Sequence, residues 1–293
     1  MTAGPQAALL SGGRLHLQHG PIDLVIEAFG DKAEKWAAYR QAWLRFETIL
    51  EPLVEELEDL RRPVGEAPPA FRGPVARRMA AGVWPHRAVF ITPMAAVAGA
   101  VADEVLAAMV AGRRLARAYV NNGGDIALHL SPGERFDAGV VAEVETPRLD
   151  AVASVSAEQP VRGIATSGWR GRSLSFGIAD SVTVLADCAA AADAAATLIA
   201  NTVAVDHPAI ERRPADSLRD DTDLGDRPVT VAVGPLPEDS VEEALTAGAG
   251  VAAAMRERGL IATALIVLRN RTRVVGADRA PDKAQQLGSR QWN

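Results

Sequence analysis

The sequence predicts an α+β fold, with mostly antiparallel sheets flanked by helices. Three observations lead there. Runs of alternating apolar and polar residues recur along the chain. Many of them are joined by hairpin-length turns, which makes successive strands antiparallel neighbours. Ala-rich stretches with helical character lie between these runs, and the 293 residues, 48% hydrophobic and 23% charged, suffice for one large domain or two lobes around a real core.

Taking the elements in order, RLHLQHGPIDLVIEAF (14–29) reads as a β-hairpin. Leu15 and Leu17 alternate with polar residues, His19-Gly20-Pro21 turns, and Ile22, Leu24 and Ile26 alternate again. Trp36, Trp43, Phe46, Leu50, Leu53, Leu57 and Leu60 then fall at spacings of 7, 3, 4, 3, 4 and 3, a helical period. Pro52 should divide this into two helices, because its ring cannot continue the hydrogen-bond ladder. Residues 62–75 form a Pro-rich loop into a short basic helix, PVARRMAAGVW. AVFITPM reads as a short strand and 94–112 as a helix. LARAYV and DIALHL are strands joined by NNGG, and GVVAEVE, AVASVSA and RGIATSG are further strands. SLSFGIADSVTVLA is β-rich, interrupted at Ala179-Asp180. CAAAADAAATLIANTVAV is a helix, 206–228 a long polar connection, VTVAVG a strand and DSVEEALTAGAGVAAAMRERG a helix. ATALIVLRNRTRVVGA is a hairpin turning at Arg269-Asn270, and 280–293 is a loose tail. The strand, turn and Ala-rich helix of 88–112 are echoed at 182–204, as a duplication would leave them.

Composition excludes several classes. A net charge of −6 argues against a non-specific nucleic-acid surface, so an anionic ligand must be met by a local patch. The single cysteine, Cys188, leaves no disulfide within the chain and makes a reducing compartment the default. The N-terminus lacks the basic start and apolar run of a signal peptide. The most apolar stretch, MAAVAGAVADEVLAAMVAG, is interrupted by Asp103 and Glu104 short of the ~20 residues of a membrane span, so it reads as a buried helix. These features predict a cytoplasmic protein with neither a membrane nor a nucleic-acid partner. Its Ala/Gly-rich helices can support a homodimer without specifying one.

Four stretches carry chemistry. Asn121 to Asp125, NNGGD, supplies the positive φ values of a hairpin turn; its paired glycines equally let backbone N–H groups approach a ligand, with Asp125 nearby as acceptor. ATSGWRGRS reads either as a polar strand end with solvated arginines, or as a backbone nest with the Thr166 and Ser167 hydroxyls and with Arg170 or Arg172 on a phosphate. Asp193 and Thr197 lie four residues apart on a helix, so their side chains share a face. They suit a hard cation such as Mg2+, or, equally, an aspartate near a helix N-terminus with an incidental threonine. DDTDLGD (220–226) has its glycine one position early for an EF-hand and no glutamate at the right distance, so it reads as a solvated acidic loop. His16, His19, His86, His129 and His207 are scattered without zinc-site spacing, and no GxSxG elbow supports acyl transfer.

Taken in order, AAVAGAVAD (95–103), NNGGDIAL (121–128), GIATSG (163–168), SFGIADSVTVLA (175–186) and ADAAAT (192–197) resemble the motif series of the ApbE flavin transferases. That family carries a GGIAKGYAVD-type helix, an NxGGD/N turn, IATSG, a segment around HIIDP, and ADALATA. The resemblance covers roughly residues 88–204 by motif and the rest by architecture. It implies a two-lobed α+β fold, 1–293 forming a single domain of two connected lobes. It implies a site for FAD, FMN or a related nucleotide, lined by Asn122, Gly123, Gly124, Asp125, Ala165, Thr166, Ser167, Gly168, Arg172 and Asp180. It further implies Mg2+ on the diphosphate, held by Asp193 and Thr197. The family's reaction moves FMN from FAD onto a threonine hydroxyl of an acceptor protein and releases AMP. Two positions depart from the pattern: Ala98 stands where the family has a lysine, and Ser175 or Phe176 stands near the histidine of HIIDP. The sequence thus admits FMN transfer or FAD hydrolysis, a non-catalytic flavin or small-molecule binder, or another enzyme on the same scaffold acting on a phosphorylated or pterin-like metabolite.

Overall fold

The computed structural model describes residues 4–141 and 149–276. Its strands are β1 (Gln6–Leu9), β2 (Leu15–His19), β3 (Ile22–Gly30), β4 (Leu115–Asn122), β5 (Asp125–Leu130), β6 (Arg135–Val141), β7 (Leu149–Ser156), β8 (Gly163–Ser167), β9 (Ser181–Ala186), β10 (Ile210–Pro214), β11 (Pro228–Val233), β12 (Thr263–Leu268) and β13 (Arg271–Val275). Its helices are α1 (Lys32–Phe46), α2 (Leu50–Glu55), α3 (Leu57–Leu60), α4 (Pro74–Val83), α5 (Val97–Val110), α6 (Ala189–Thr202) and α7 (Glu238–Glu257). Nine strands form one sheet in the order β1-β2-β3-β4-β5-β8-β9-β12-β13. Every neighbouring pair in that sheet is antiparallel. The α+β expectation holds.

Alternation decides which face is covered. In β2 and β3 every second residue is buried, and Leu17, Leu24 and Ile26 are among the largest fully buried side chains. Helix α5 packs on β4 and β5, α6 on β8 and β9, and α7 on β12 and β13. Small residues let α5 and α6 come close: a Cβ on Gly99 would stand 2.3 Å from the carbonyl oxygen of Ala189.

That close approach allows the two helices to cap each other. Neither has a side-chain cap at its own N-cap residue, Ala96 or Cys188. Instead, the N–H groups of Ala189 and Ala190 donate to the two oxygens of Asp103 at 3.0 and 2.9 Å. In return, the Gly99 N–H donates to Oδ2 of Asp193 at 3.0 Å. Orphan donors of each first turn are thereby satisfied by the other helix. Asp103→Ala strips the cap from α6 and should cost about 2 kcal/mol in urea denaturation, with Asp103→Asn falling between it and the parent.

Several elements differ from the sequence reading. The long N-terminal helix breaks at the turn before Leu50, not at Pro52, which sits in the first turn of α2, where a missing N–H leaves no bond unmade. AVFITPM is not a strand. Its backbone partner is a loop, the Val64 N–H donating to the Ile91 carbonyl at 2.9 Å, and Pro93 opens a 3-10 turn. The echo of 182–204 therefore lacks its first strand at 88–94, and what the two segments share is the mutual capping. Residues 173–180 are irregular, and the polar connection 206–228 contains β10, which pairs with β11. The acidic loop is tied down, Asp223 accepting from the Thr92 hydroxyl and Asp221 meeting Arg61 at 3.4 Å. Part of the strand expected at 139–145 and the tail 280–293 lie outside the described residues. Pro93–Val110 is the one described helical stretch long and apolar enough to cross a membrane, and half of it is buried inside the fold.

His86 adds a pH dependence to this packing. It is 5% exposed, and burial, followed by the nearby Arg258, lowers its pKa from 6.5 to about 4. A depressed pKa contributes stability that is present above pH 6.5 and is lost as the pH falls towards 4, here about 3 kcal/mol. The urea midpoint of the parent should accordingly drop more steeply across that window than that of His86→Gln.

Candidate functional site

The sequence-predicted residues gather where four elements end together: the β4–β5 turn, the far end of β8, the first turn of α5 and the middle of α6. Asn122, 5% exposed, closes β4 and donates through Nδ2 to the Ala98 carbonyl at 3.1 Å, fixing the turn to α5. Gly123 and Gly124 form the turn with φ of +65° and +115°. The Arg172 guanidinium crosses the turn: a Cβ on Gly123 would lie 2.2 Å from its Nη2, so a side chain there would displace the arginine. The Gly124 N–H is held by Oδ1 of Asn121 at 2.8 Å.

Asp125, partly buried, accepts from the Thr166 N–H at 3.3 Å. Thr166 is exposed at the end of β8 and shares a 2.9 Å hydroxyl contact with Thr183 on β9. Ser167 follows, half-buried, and the backbone of Gly168 runs against the Asp180 carbonyl. Two predicted residues face elsewhere. Ala165 is fully buried in the core behind β8, so its contribution to the site is backbone. The Asp180 carboxylate binds the Arg269 N–H at 2.6 Å and meets Arg170 at 3.7 Å, which locks the β12–β13 turn.

Asp193 and Thr197 occupy one face of α6, as their spacing requires. Burial is the first cause that pushes the Asp193 carboxyl well above the usual carboxylate range, and the charge of Asp125 pushes it further. Asp125 is raised to about 7 by burial, against the pull of the Thr166 N–H and Arg172. Two partly buried carboxyls thus disfavour each other's charge, and Arg172 is the cation acting on Asp125. The Thr197 hydroxyl makes no hydrogen bond to any described residue. Thr202 on the same helix, by contrast, bonds back to the Leu198 carbonyl at 2.9 Å, the usual outlet for a helical threonine.

These donors fit Mg2+. They are hard oxygens, two of them on carboxyls whose charged form a cation would favour, and they leave most of a coordination shell to water and phosphate. Among the described residues no three His, Cys, Asp or Glu side chains gather into a metal cluster.

Sequence reasoning missed residues whose roles are tertiary. Gly99 supplies the N–H that orients Asp193, and only its presence inside an Ala-rich helix hinted at close packing. Asn201, one turn beyond Thr197, accepts from the Ser175 hydroxyl and the Phe176 N–H, both at 2.9 Å. Phe176 is thereby set beside Phe90, ring centroids 6.1 Å apart, and the Arg227 guanidinium lies 3.7 Å from the centre of the Phe90 ring. Phe90, Phe176 and Arg227 thus form an aromatic and guanidinium platform. Ala98, at the lysine position, is in the first turn of α5 beside Asp193.

An antiparallel α+β fold carrying paired carboxylates on the NNGGD turn and the ADAAAT helix defines the class the motifs resemble. The profile of the family described as "AbpE bacteria" matches residues 7–274, and the chain belongs to that family. It is 37% identical over 178 residues to the UPF0280 protein of Methanosphaerula palustris, covering 57% of this chain and 71% of that protein. It is likewise 37% identical over 126 residues to the UPF0280 protein of Methanosarcina acetivorans, covering 41% of this chain and 47% of that one. Among solved structures it is similar to the apo form of Pseudomonas stutzeri flavinyl transferase ApbE, with a TM-score of 0.46, 13% identity, and 92% and 93% of the two chains covered. The flavin transferase ApbE from Vibrio cholerae gives a TM-score of 0.41 at 13% identity, covering 93% of this chain and 97% of that one.

Proposed function

We propose that this chain binds a flavin nucleotide, FAD or FMN, as its Mg2+ complex in the cleft between the β4–β5 turn and α6. One observation carries the reading: the Asp125 and Asp193 carboxyls raise each other's pKa beside a Thr197 hydroxyl that bonds no described residue, an arrangement a divalent cation would relieve. Asp193 and Thr197 would hold the cation, and its chemistry there would be to neutralise diphosphate charge. Gly99 fixes the Asp193 carboxylate. Thr166, Ser167 and Arg172 stand ready for phosphate oxygens, the arginine through charge-assisted bonds. Asn201 lies eight residues beyond Asp193, about 12 Å along the helix axis. That places the Phe90–Phe176–Arg227 platform at a nucleotide's reach from the diphosphate, where it would carry the planar ring.

The platform sets a prediction. Phe90→Ala and Phe176→Ala should each weaken FAD binding about tenfold, or about 1.4 kcal/mol, and leave ADP binding unchanged in the same titration. Equal losses for both ligands would remove the ring from that place.

The chemistry that follows binding is either phosphoryl-type transfer from FAD or none. Ala98 at the family's lysine position, and Ser175 or Phe176 near that of its histidine, favour the second reading, a flavin carrier without turnover. Incubating the protein with FAD and Mg2+ and chromatographing the mixture separates them. Release of AMP supports transfer or hydrolysis, and intact bound FAD supports the carrier. An absence of bound flavin overturns both readings and leaves a different phosphorylated or pterin-like ligand for the same cleft.

A further inference from the structure

A cavity of about 280 Å3 opens at the first turn of α6, where α4, the turn following it and the Gly259–Leu260 loop meet. None of Asp125, Thr166, Arg172, Asp193 or Thr197 lines it, so it is separate from the flavin cleft. Its polar lining is Arg78, His86, Asp103 and Asp187.

Two of these side chains have bonding capacity that the protein does not use. His86 is 5% exposed, lines the cavity and makes no side-chain hydrogen bond to any described residue. Its ring nitrogens are therefore free to donate and accept toward a molecule in the cavity. Arg78 donates through Nε to Glu104 at 2.7 Å, and its two Nη groups bond no described residue. Asp103 is different: both of its oxygens already cap α6. Asp187 stands exposed at the rim. Cys188 adds no reactivity, since burial first, and then Asp103 and Asp187, push its thiol up to about 12.

The charges select the ligand. A simple anion would find the helix terminus already capped and would face Asp103 and Asp187. A simple cation would meet Arg78 and, behind His86, Arg258. A molecule carrying both charges finds a partner for each. The volume is just below the roughly 300–1,000 Å3 of most small-molecule sites, so the ligand is compact.

We propose that this cavity binds a compact zwitterion of the α-amino-acid class, with its carboxylate on the Arg78 guanidinium, its ammonium on Asp187 and its remaining polar atoms on His86. The assignment stands whether or not the cleft binds flavin. The test is saturation-transfer NMR with each of the twenty standard L-amino acids, together with the side-chain spectrum of His86. Two variants accompany the parent. Ala81→Trp projects a ring into the cavity from an exposed position on α4, and Arg78→Gln removes the carboxylate partner. The expected result is saturation transfer from at least one amino acid and a shift of the His86 ring resonances. Both variants should weaken that binding at least tenfold while keeping the parent's dispersed spectrum. The proposal is overturned if none of the twenty binds, if binding survives both variants, or if inorganic phosphate alone displaces the amino acid at equal concentration.

Discussion

Asp193→Asn is expected to lower the Mg2+-dependent affinity for FAD at least 100-fold, or about 2.7 kcal/mol, in a protein that remains folded. Asparagine keeps an oxygen to accept the Gly99 N–H and removes only the charge, so the loss reports on the cation and not on the capping of α5. The same change should leave the metal-free protein at least as stable as the parent, and the sign follows from the direction of the shifts. Both carboxyls are raised, Asp125 to about 7, so the stability that protonation supplies is lost as the pH rises from the ordinary carboxylate range through that value. The variant should therefore gain on the parent between pH 5 and pH 8 in EDTA and fall behind it in Mg2+ plus FAD. Titration calorimetry and thermal melts at the two pH values read both effects.

Gly99→Val is expected to give the largest loss of stability, about 3 kcal/mol or more. The added Cβ would stand 2.3 Å from the Ala189 carbonyl oxygen, a backbone atom that cannot swing away. Relief requires α5 and α6 to separate, which stretches the Gly99–Asp193 bond and both bonds from α6 to Asp103. Core stability and the metal site should fail together in this variant. Gly250→Ala on α7 is the matched control. Nothing lies within 4 Å of its added Cβ, and it should stabilise by about 1 kcal/mol through helix propensity alone. A Gly99→Val protein with an unchanged urea midpoint would show that the helices do not touch there.

These two variants mark what the sequence could reveal. Spacing alone put Asp193 and Thr197 on one face of a helix, because helical periodicity is a local property. The NNGG and Arg269-Asn270 turns were legible for the same reason: each demands left-handed backbone, and Arg269 and Asn270 adopt φ of +52° and +62°. The order of the motifs reached further and gave the family. The partners of those residues were not legible. That Asp193 takes its hydrogen bond from Gly99, 94 positions away, or that Asp103 caps α6 from α5, depends on how two Ala-rich helices cross, and alanine carries no register. AVFITPM failed for a related reason. Ile91 and Pro93 are buried while Val89 is 56% exposed, and the Ile91 backbone pairs with Val64 of a loop, yet a short apolar run without ladder partners looks in sequence like a short strand. Ala165 shows the same limit within a motif, for the IATSG strand alternates and its alanine turns to the core while Thr166 faces out.

The most direct test of the central claim is calorimetric titration of the parent protein with FAD, first in millimolar Mg2+ and then in EDTA. Saturable binding is expected in Mg2+, with at least a tenfold weaker affinity in EDTA. Equal affinity in the two buffers, or no binding in Mg2+, would contradict the assignment of Asp193 and Thr197 to a nucleotide-bound cation.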